Sequence, residues 1–314
     1  TDWFNKLVQY DSTGKIMSVS KLQKGKGDLL FLHYNGKPYI QSSYNYYKMN
    51  GMYKVTNGDG SPRMVSYYKN GERDSIYKSW FPDGKPEIEG QYNSKGQKTG
   101  VWKTYWPSGG LRETELFEDG ELTGKDIQYN EDGSIEKEMN FEKNQLQGTY
   151  TIYADNKQVA LVLYYKDDVV TGYSYEDKTG KLLPVIPLPS GKGTVTAYFS
   201  NGNKSASMNF SESLAEGPRL LYYTNGKERV NGNRENGVET GVKKVYYPSG
   251  KLMKESFFVQ GVLHGKAKEY DESGKLLRDF NYYYGDPHGA CIDSPAGKPA
   301  VTYIYYYGAL ESKK

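Results

Sequence analysis

The chain carries few side chains able to do chemistry, and their spacing has to be explained before any is read as a site. Histidine occurs only at His33, His264 and His288, the last two 24 residues apart. Two imidazoles in equivalent places could share a metal ion. Zinc sites, however, need three or four ligands at defined geometry, and the same place is filled elsewhere by Thr99, Thr123, Thr171, Glu216 and Thr240. The sole cysteine, Cys291, lies near His288. Such a pair activates a thiol when a third group orients the base; none is evident, and a small apolar side chain is the simpler reading. Being alone, Cys291 allows neither an intrachain disulfide nor a cysteine-based zinc site. Asp11, Asp83, Asp132 and Asp271 form a row of carboxylates, but the ligand spacing of a calcium loop is absent and aspartate is an ordinary turn former. Ser190-Gly191-Lys192-Gly193-Thr194 looks like a phosphate loop without its full glycine spacing or a following helix. Carboxylate pairs for glycoside hydrolysis need only proximity in space, and nothing in the sequence singles one out. The expectation is a protein that is not an enzyme, with no catalytic residue, no metal ligand and no cofactor.

The remaining candidates are aromatic. Trp80, Trp102 and Trp106 fall close together, with Tyr105 beside them. Exposed rings of this kind stack on sugars or anchor a protein partner. These four are the candidate partner-binding residues. The competing reading is that the rings are themselves the core of a thin sheet.

The elements that position these residues follow from a repeat. Gly100, Gly124, Gly148 and Gly172 are spaced 24 apart, and so are Gly193, Gly217, Gly241, Gly265 and Gly289; 21 residues separate Gly172 from Gly193. Backwards, Ser75, Gly51, Gly27 and Asn5 take the same place, giving 13 units with atypical ends. Nine residues after the marker comes a second turn residue, such as Gly109, Gly133 or Gly250, preceded by turn formers; Gly180 and Gly297 arrive one residue early. Two turn signals per unit leave two strands of about six residues each. Aromatics recur five residues after the marker (Trp80, Tyr105, Tyr129, Tyr246) and seventeen after it (Tyr68, Phe117, Phe258, Tyr306). They predict two ladders along a sheet, whose faces the sequence leaves open because a slip of one residue flips every side chain. The predicted fold is all-β: an elongated, twisted antiparallel meander of about 13 tandem 24-residue β-hairpin repeats, with about 24 to 26 strands ~4.8 Å apart.

Composition agrees. Of 314 residues, 36% are hydrophobic and 15% aromatic, with 32 tyrosines and 36 glycines. Such a chain buries stripes along a sheet more readily than one deep core. The 41 basic and 38 acidic residues are interspersed, for a net charge of +3. No basic patch marks a nucleic-acid partner, and no apolar run approaches a membrane span. The break in period, Leu183 to Gly193, holds Pro184, Pro187 and Pro189, which a central strand cannot spare. It divides the chain into a block at 1–183, a proline-rich break or hinge at 184–192, and a block at 193–314. The chain opens at Thr1 with no visible signal peptide, and an exported or cell-envelope protein whose leader has been trimmed is favoured over a cytoplasmic one.

Tyr246-Tyr247-Pro248-Ser249-Gly250-Lys251-Leu252, followed by Phe258, Gly261 and Gly265, resembles the bacterial variant of the MORN repeat carried by YwqK-type antitoxin-like proteins; Trp80 to Lys85 and Trp102 to Leu111 are further copies, and His264-Gly265 and His288-Gly289 match the family's His-Gly. The likeness extends over nearly the whole chain. It departs at Pro189 and Arg234, where the second aromatic is missing, and at Asp177 and Ser294, where the first is. The resemblance implies a β-hairpin array with a scaffold or partner-binding role, and the family has no shared catalytic residues to carry over. The expected function is a non-catalytic repeat scaffold mediating protein–protein interaction, with antitoxin-like neutralisation as a special case. Alternatives are a glycan- or cell-wall-binding module using exposed Tyr and Trp, and association with a membrane surface without stable insertion. A functional residue is best sought where a unit departs from the pattern: Leu183 to Gly193, Asn231 to Gly237, and Trp80 to Trp106.

Overall fold

The computed structural model describes residues 5–81, 83–154, 157–294, 297 and 299–314. The fold is all-β. Among the described residues there are 28 strands and one 3₁₀ turn, Pro189–Gly191. Consecutive strands pair antiparallel, as in Lys48–Thr56, Pro62–Lys69 and Glu72–Trp80. The chain divides into two compact units between Gln145 and Leu146. The first holds a small hairpin, Lys6–Tyr10 with Ile16–Lys21, and a meander from Gly27–Leu32 to Ile135–Glu142. The second holds Gln145–Tyr153, Val159–Lys166, Val169–Ser174 and the short Ile186–Pro187, then a second sheet from Gly193–Tyr198 to Ala309–Lys313.

Most repeats use two kinds of turn. One is the glycine turn expected nine residues after the marker: the Trp106 N–H donates to the Gly110 carbonyl at 2.8 Å, and Gly109, at φ 98°, donates back to the Trp106 carbonyl. The other is a two-residue turn with both residues at positive φ, as at Asn70–Gly71, Asp119–Gly120, Asn236–Gly237 and Gln260–Gly261. That is the type I′ geometry whose twist matches the flanking strands.

The marker glycine lies in neither turn. Gly100, Gly124, Gly241 and Gly265 sit inside the strands Lys98–Tyr105, Glu121–Tyr129, Val238–Tyr246 and Val262–Tyr270, at φ 66°, 63°, 69° and 72°. Against the preceding strand the register jumps: Thr114 pairs Ile127 and Leu116 pairs Thr123, so Glu115 alone faces Gly124, Lys125 and Asp126. This is a β-bulge, whose first residue takes the left-handed conformation open to glycine. Against the following strand the pairing is regular, and the marker faces the second-ladder aromatic directly: Gly100 with Phe117, Gly124 with Phe141, Gly241 with Phe258. The strands are therefore eight or nine residues long, not about six. Glycine serves both bulge and turn, so the sequence alone reads one as the other.

The bulge fixes the faces. Residues two after the marker point inward and their neighbours outward: Trp102 is buried between exposed Val101 and Lys103, and Ala267 follows exposed Lys266. In several units the residue fifteen after the marker is a small partner, as at Ser42, Ser66, Gly90, Gly232 and Ser256. Ser66 pairs with both Tyr53 and Tyr77, and Gly90 leaves room for Trp102, whose ring lies 2.2 Å from where a Cβ on Gly90 would be. In those units large and small side chains alternate along the row, which lets them pack closely. Its rings stack on one another, Tyr77 on Trp102 at 5.7 Å between centroids, and meet the second ladder on the same face: Tyr53 and Tyr68 at 5.9 Å, Trp102 and Tyr92 at 5.1 Å, Trp102 and Phe117 at 6.4 Å. In the last unit Gly297 arrives early and the register slips by one. Gly289 pairs with Tyr305, and Tyr306, expected in the ladder, is turned out and 58% exposed.

In the second unit the aliphatics concentrate, and the chain does build a closed core. Leu161, Val170, Val195, Ala197, Phe199 and Leu221 are essentially inaccessible and belong to one cluster. Stripes alone do not describe this region; the run Val159-Ala160-Leu161-Val162-Leu163 is apolar on both faces. The Ser205 hydroxyl donates to the Ala160 carbonyl and the Arg229 Nη1 to the Tyr153 carbonyl at 2.8 Å, tying the two sheets of this unit together. The proline-rich segment runs between them: Leu188 is buried, its N–H donates to the Thr171 carbonyl, and the Gly191 carbonyl accepts from Ser213.

At Gly241 a Cβ would meet nothing within 4 Å, so the cost of replacing it is purely conformational. Gly241→Ala is expected to destabilise by about 1–2 kcal/mol, read from the urea midpoint. A change within a few tenths would contradict the bulge assignment.

Candidate functional site

The structure separates the four residues first considered for partner binding. Trp102 is 4% exposed. Its Nε1 donates to the Gln91 carbonyl at 3.1 Å, and the Lys98 ammonium caps the inner row, 4.4 Å from its ring and 4.5 Å from that of Phe117. Its ring is thus spent on the fold. Trp106 is half-buried in its turn, donating to the Tyr129 carbonyl at 3.1 Å with the Arg112 guanidinium 5.0 Å above the ring. Tyr105 donates to Glu89 Oε2 at 2.9 Å; burial first, then that carboxylate, pushes its phenol up to about 12. Trp80, half-buried, ends its strand opposite Pro86. Among the described residues no ring contact joins the three tryptophans.

One carboxylate stands on the same inner row. Asp126 takes the place that Trp102 holds in the unit before, and it is buried, with one oxygen, Oδ1, making no hydrogen bond. Burial, with Glu113 and Glu115 adding repulsion and Lys137 opposing, pushes its carboxyl up to about 7. The turn aspartates behave oppositely: the Thr13 hydroxyl and backbone N–H groups hold Asp11 below the usual range, and the Lys85 N–H does so for Asp83. They act as turn closers, as the sequence suggests.

An exposed aromatic surface lies elsewhere, on the last turns of the second unit. Tyr283, Tyr284, Tyr306 and Tyr307 are 44%, 56%, 58% and 50% exposed. Their rings touch: Tyr283 lies 5.0 Å from Tyr284 and 5.3 Å from Tyr307, and Tyr306 4.7 Å from Tyr307. The two related histidines lie against them, His264 at 4.8 Å from Tyr284 and His288 at 4.6 Å from Tyr307. The Tyr307 N–H reaches His288 Nδ1 at 3.3 Å. Among the described residues no three His, Cys, Asp or Glu side chains are placed to hold a metal ion. Cys291 is fully buried on the inner row, its thiol 3.7 Å from the Asn281 carbonyl, whereas His288 stacks with exposed rings.

The backbone adds a second mark to this surface. Tyr284 and Tyr307 open type I′ turns at φ 46° and 45°, positions where asparagine, aspartate or glycine is preferred and where a bulky residue is uncommon. The first unit has a similar turn, Tyr46–Tyr47 at φ 48° and 63°. The signal was present in the sequence as Tyr-Tyr-Tyr-Gly, at Tyr282 to Gly285 and again at Tyr305 to Gly308. It was hidden because these tyrosines look like more of the ladder.

Four segments match the family model for the MORN repeat variant: residues 73–94, 98–119, 239–260 and 263–282. They take in the copies at Trp80, Trp102 and Tyr246, and the last contains His264. No curated protein matches the chain. Among solved structures, the crystal structure of TcdB2-TccC3-Cdc42 is similar over 96% of this chain and 19% of that chain, at 13% identity and a TM-score of 0.17. That of TcdB2-TccC3 without its hypervariable C-terminal region is similar over the same shares, at 14% identity and a TM-score of 0.16.

Asp126 yields a pH prediction. Its folded carboxyl titrates near 7, above the ordinary 3.8 of an unfolded aspartate. Its contribution to stability is therefore complete below about pH 4 and is lost as pH rises through about 7. Asp126→Asn should flatten this fall, raising the urea midpoint at pH 8 relative to wild type while changing it little at pH 4. An equal shift at both pH values would contradict the assignment.

Proposed function

We propose that this repeat protein is a non-catalytic scaffold that docks a protein partner through the tyrosine–histidine surface around Tyr284, Tyr306 and Tyr307. The observation that carries the reading is the pair of exposed tyrosines held at left-handed φ. Bulky residues in such conformations persist where something other than folding favours them. The rings offer large, rigid faces with a hydroxyl at the tip, the residue type that dominates protein contacts. Four solvent-exposed tyrosines in mutual contact form the kind of aromatic patch that marks an interaction site. Within this reading, neutralisation of a toxin is the special case in which the partner is a toxin.

The test exploits the conflict between folding and binding. Tyr284→Asn with Tyr307→Asn is expected to raise stability by a few tenths to about 1 kcal/mol and to abolish partner capture. A photo-crosslinking residue placed at Tyr306 of the full chain, in its native cell, should give a discrete protein adduct that the double variant loses. No adduct, or one that survives the double variant, contradicts the proposal. Binding of defined sugars on a glycan array, lost in the same variant, would replace it with the glycan reading.

A further inference from the structure

The second unit contains a cavity of about 250 Å³ at one of the places where the repeat breaks its own pattern. Arg234 stands where the second-ladder aromatic belongs, facing Gly217 across the strands. Arg219, two after that marker, takes the inner-row place that Tyr150 holds in its own repeat. The cavity is lined by these two guanidiniums, by the tyrosine pair Tyr150 and Tyr165, whose rings are 6.3 Å apart, and by an apolar floor that includes Met208 and Phe210. Two repeats thus contribute the same pair of positions to one cavity, one as tyrosines and the other as arginines.

Arg234 is under-used by the protein. Arg234 Nη1 makes only a long contact of 3.3 Å to the Gly237 carbonyl, and its buried Nε makes no hydrogen bond. The nearest carboxylate, Glu239, is 2.8 Å from Lys243 Nζ but 3.9 Å from Arg234 Nη2. Asp168, also on the lining, accepts from the Leu146 N–H at 2.7 Å. A guanidinium left without full pairing is an expensive thing to shield from water, and Arg219 lies close enough to work against the charge on Arg234.

We propose that this cavity binds a monocarboxylate carrying a compact apolar body, with Arg219 and Arg234 holding the carboxylate and the apolar floor holding the rest. Arginine is the residue suited to planar, two-point recognition of a carboxylate. The chemistry is shared by a free small carboxylic acid and by the C-terminal carboxylate of a polypeptide ending in an apolar residue.

Calorimetry on the full chain tests it with 3-phenylpropionate and the neutral 3-phenylpropanamide. The acid should bind one site and the amide should not. Arg219→Gln should weaken the acid about tenfold or more, and Arg219→Lys should restore part of the loss; both should keep the wild-type urea midpoint, since Arg219 is only half-buried. Arg234→Gln should abolish binding, and if it unfolds the chain the Arg219 pair still decides. A short peptide ending in free phenylalanine, against its amidated form, separates the sources: tighter binding than the free acid assigns the site to a polypeptide terminus, weaker or none to a small acid. No heat with either carboxylate, equal binding of acid and amide, or binding indifferent to Arg219→Gln would overturn the proposal.

Discussion

A left-handed marker residue, serine at Ser75 and glycine at Gly100, Gly124, Gly148, Gly217, Gly241 and Gly265, sets much of this structure. It lets two or more residues of one strand stand against one of the strand before while keeping regular pairing with the strand after. Gly124 shows both halves at once, bulged against Glu115 and paired with Phe141. That offset decides which side chains face inward, and hence that Trp102 and Ala267 are buried while Val101 and Lys266 are not. Substituting an L-residue there acts on the backbone before it acts on any contact, because the space around several of these glycines is open.

The sequence made the period, the hairpins and the second turn glycine legible, because each rests on local conformational preference that a residue type announces. Faces were not legible. The bulge and the turn ask for the same glycine, and only long-range pairing tells Gly100 in a strand from Gly109 in a turn. The inner row was missed for a related reason. It is aromatic at Tyr53, Tyr77 and Trp102 but becomes Asp126, Arg219, Lys243 and Cys291 later, so composition does not mark it. The closed core of the second unit came from a packing of two sheets that no repeat-level pattern encodes.

Departures from the pattern carried more than the pattern did. Asn231 to Gly237 was singled out by the absence of an aromatic, and Arg234 in that stretch lines the cavity. The early Gly297 slips the last register, which turns Tyr306 outward into the surface formed with Tyr283, Tyr284 and Tyr307. The tryptophans that first drew attention conform to the pattern instead, and Trp102 is packed within it. In a repeat protein the residues that fit are explained by neighbour-to-neighbour packing, and function is sought in those that do not.

The central claim is that the bulge glycine sets an alternation of inward and outward side chains in the units where it sits inside a strand, as at Gly100 and Gly265. Cysteine labelling rates measure it directly, with single cysteines placed in a Cys291→Ser background at Val101, Trp102 and Lys103 and at Lys266, Ala267 and Lys268. The account predicts fast modification at Val101, Lys103 and Lys266, intermediate at Lys268, and strong protection at positions 102 and 267. Uniform rates, or protection in the opposite phase, would contradict it.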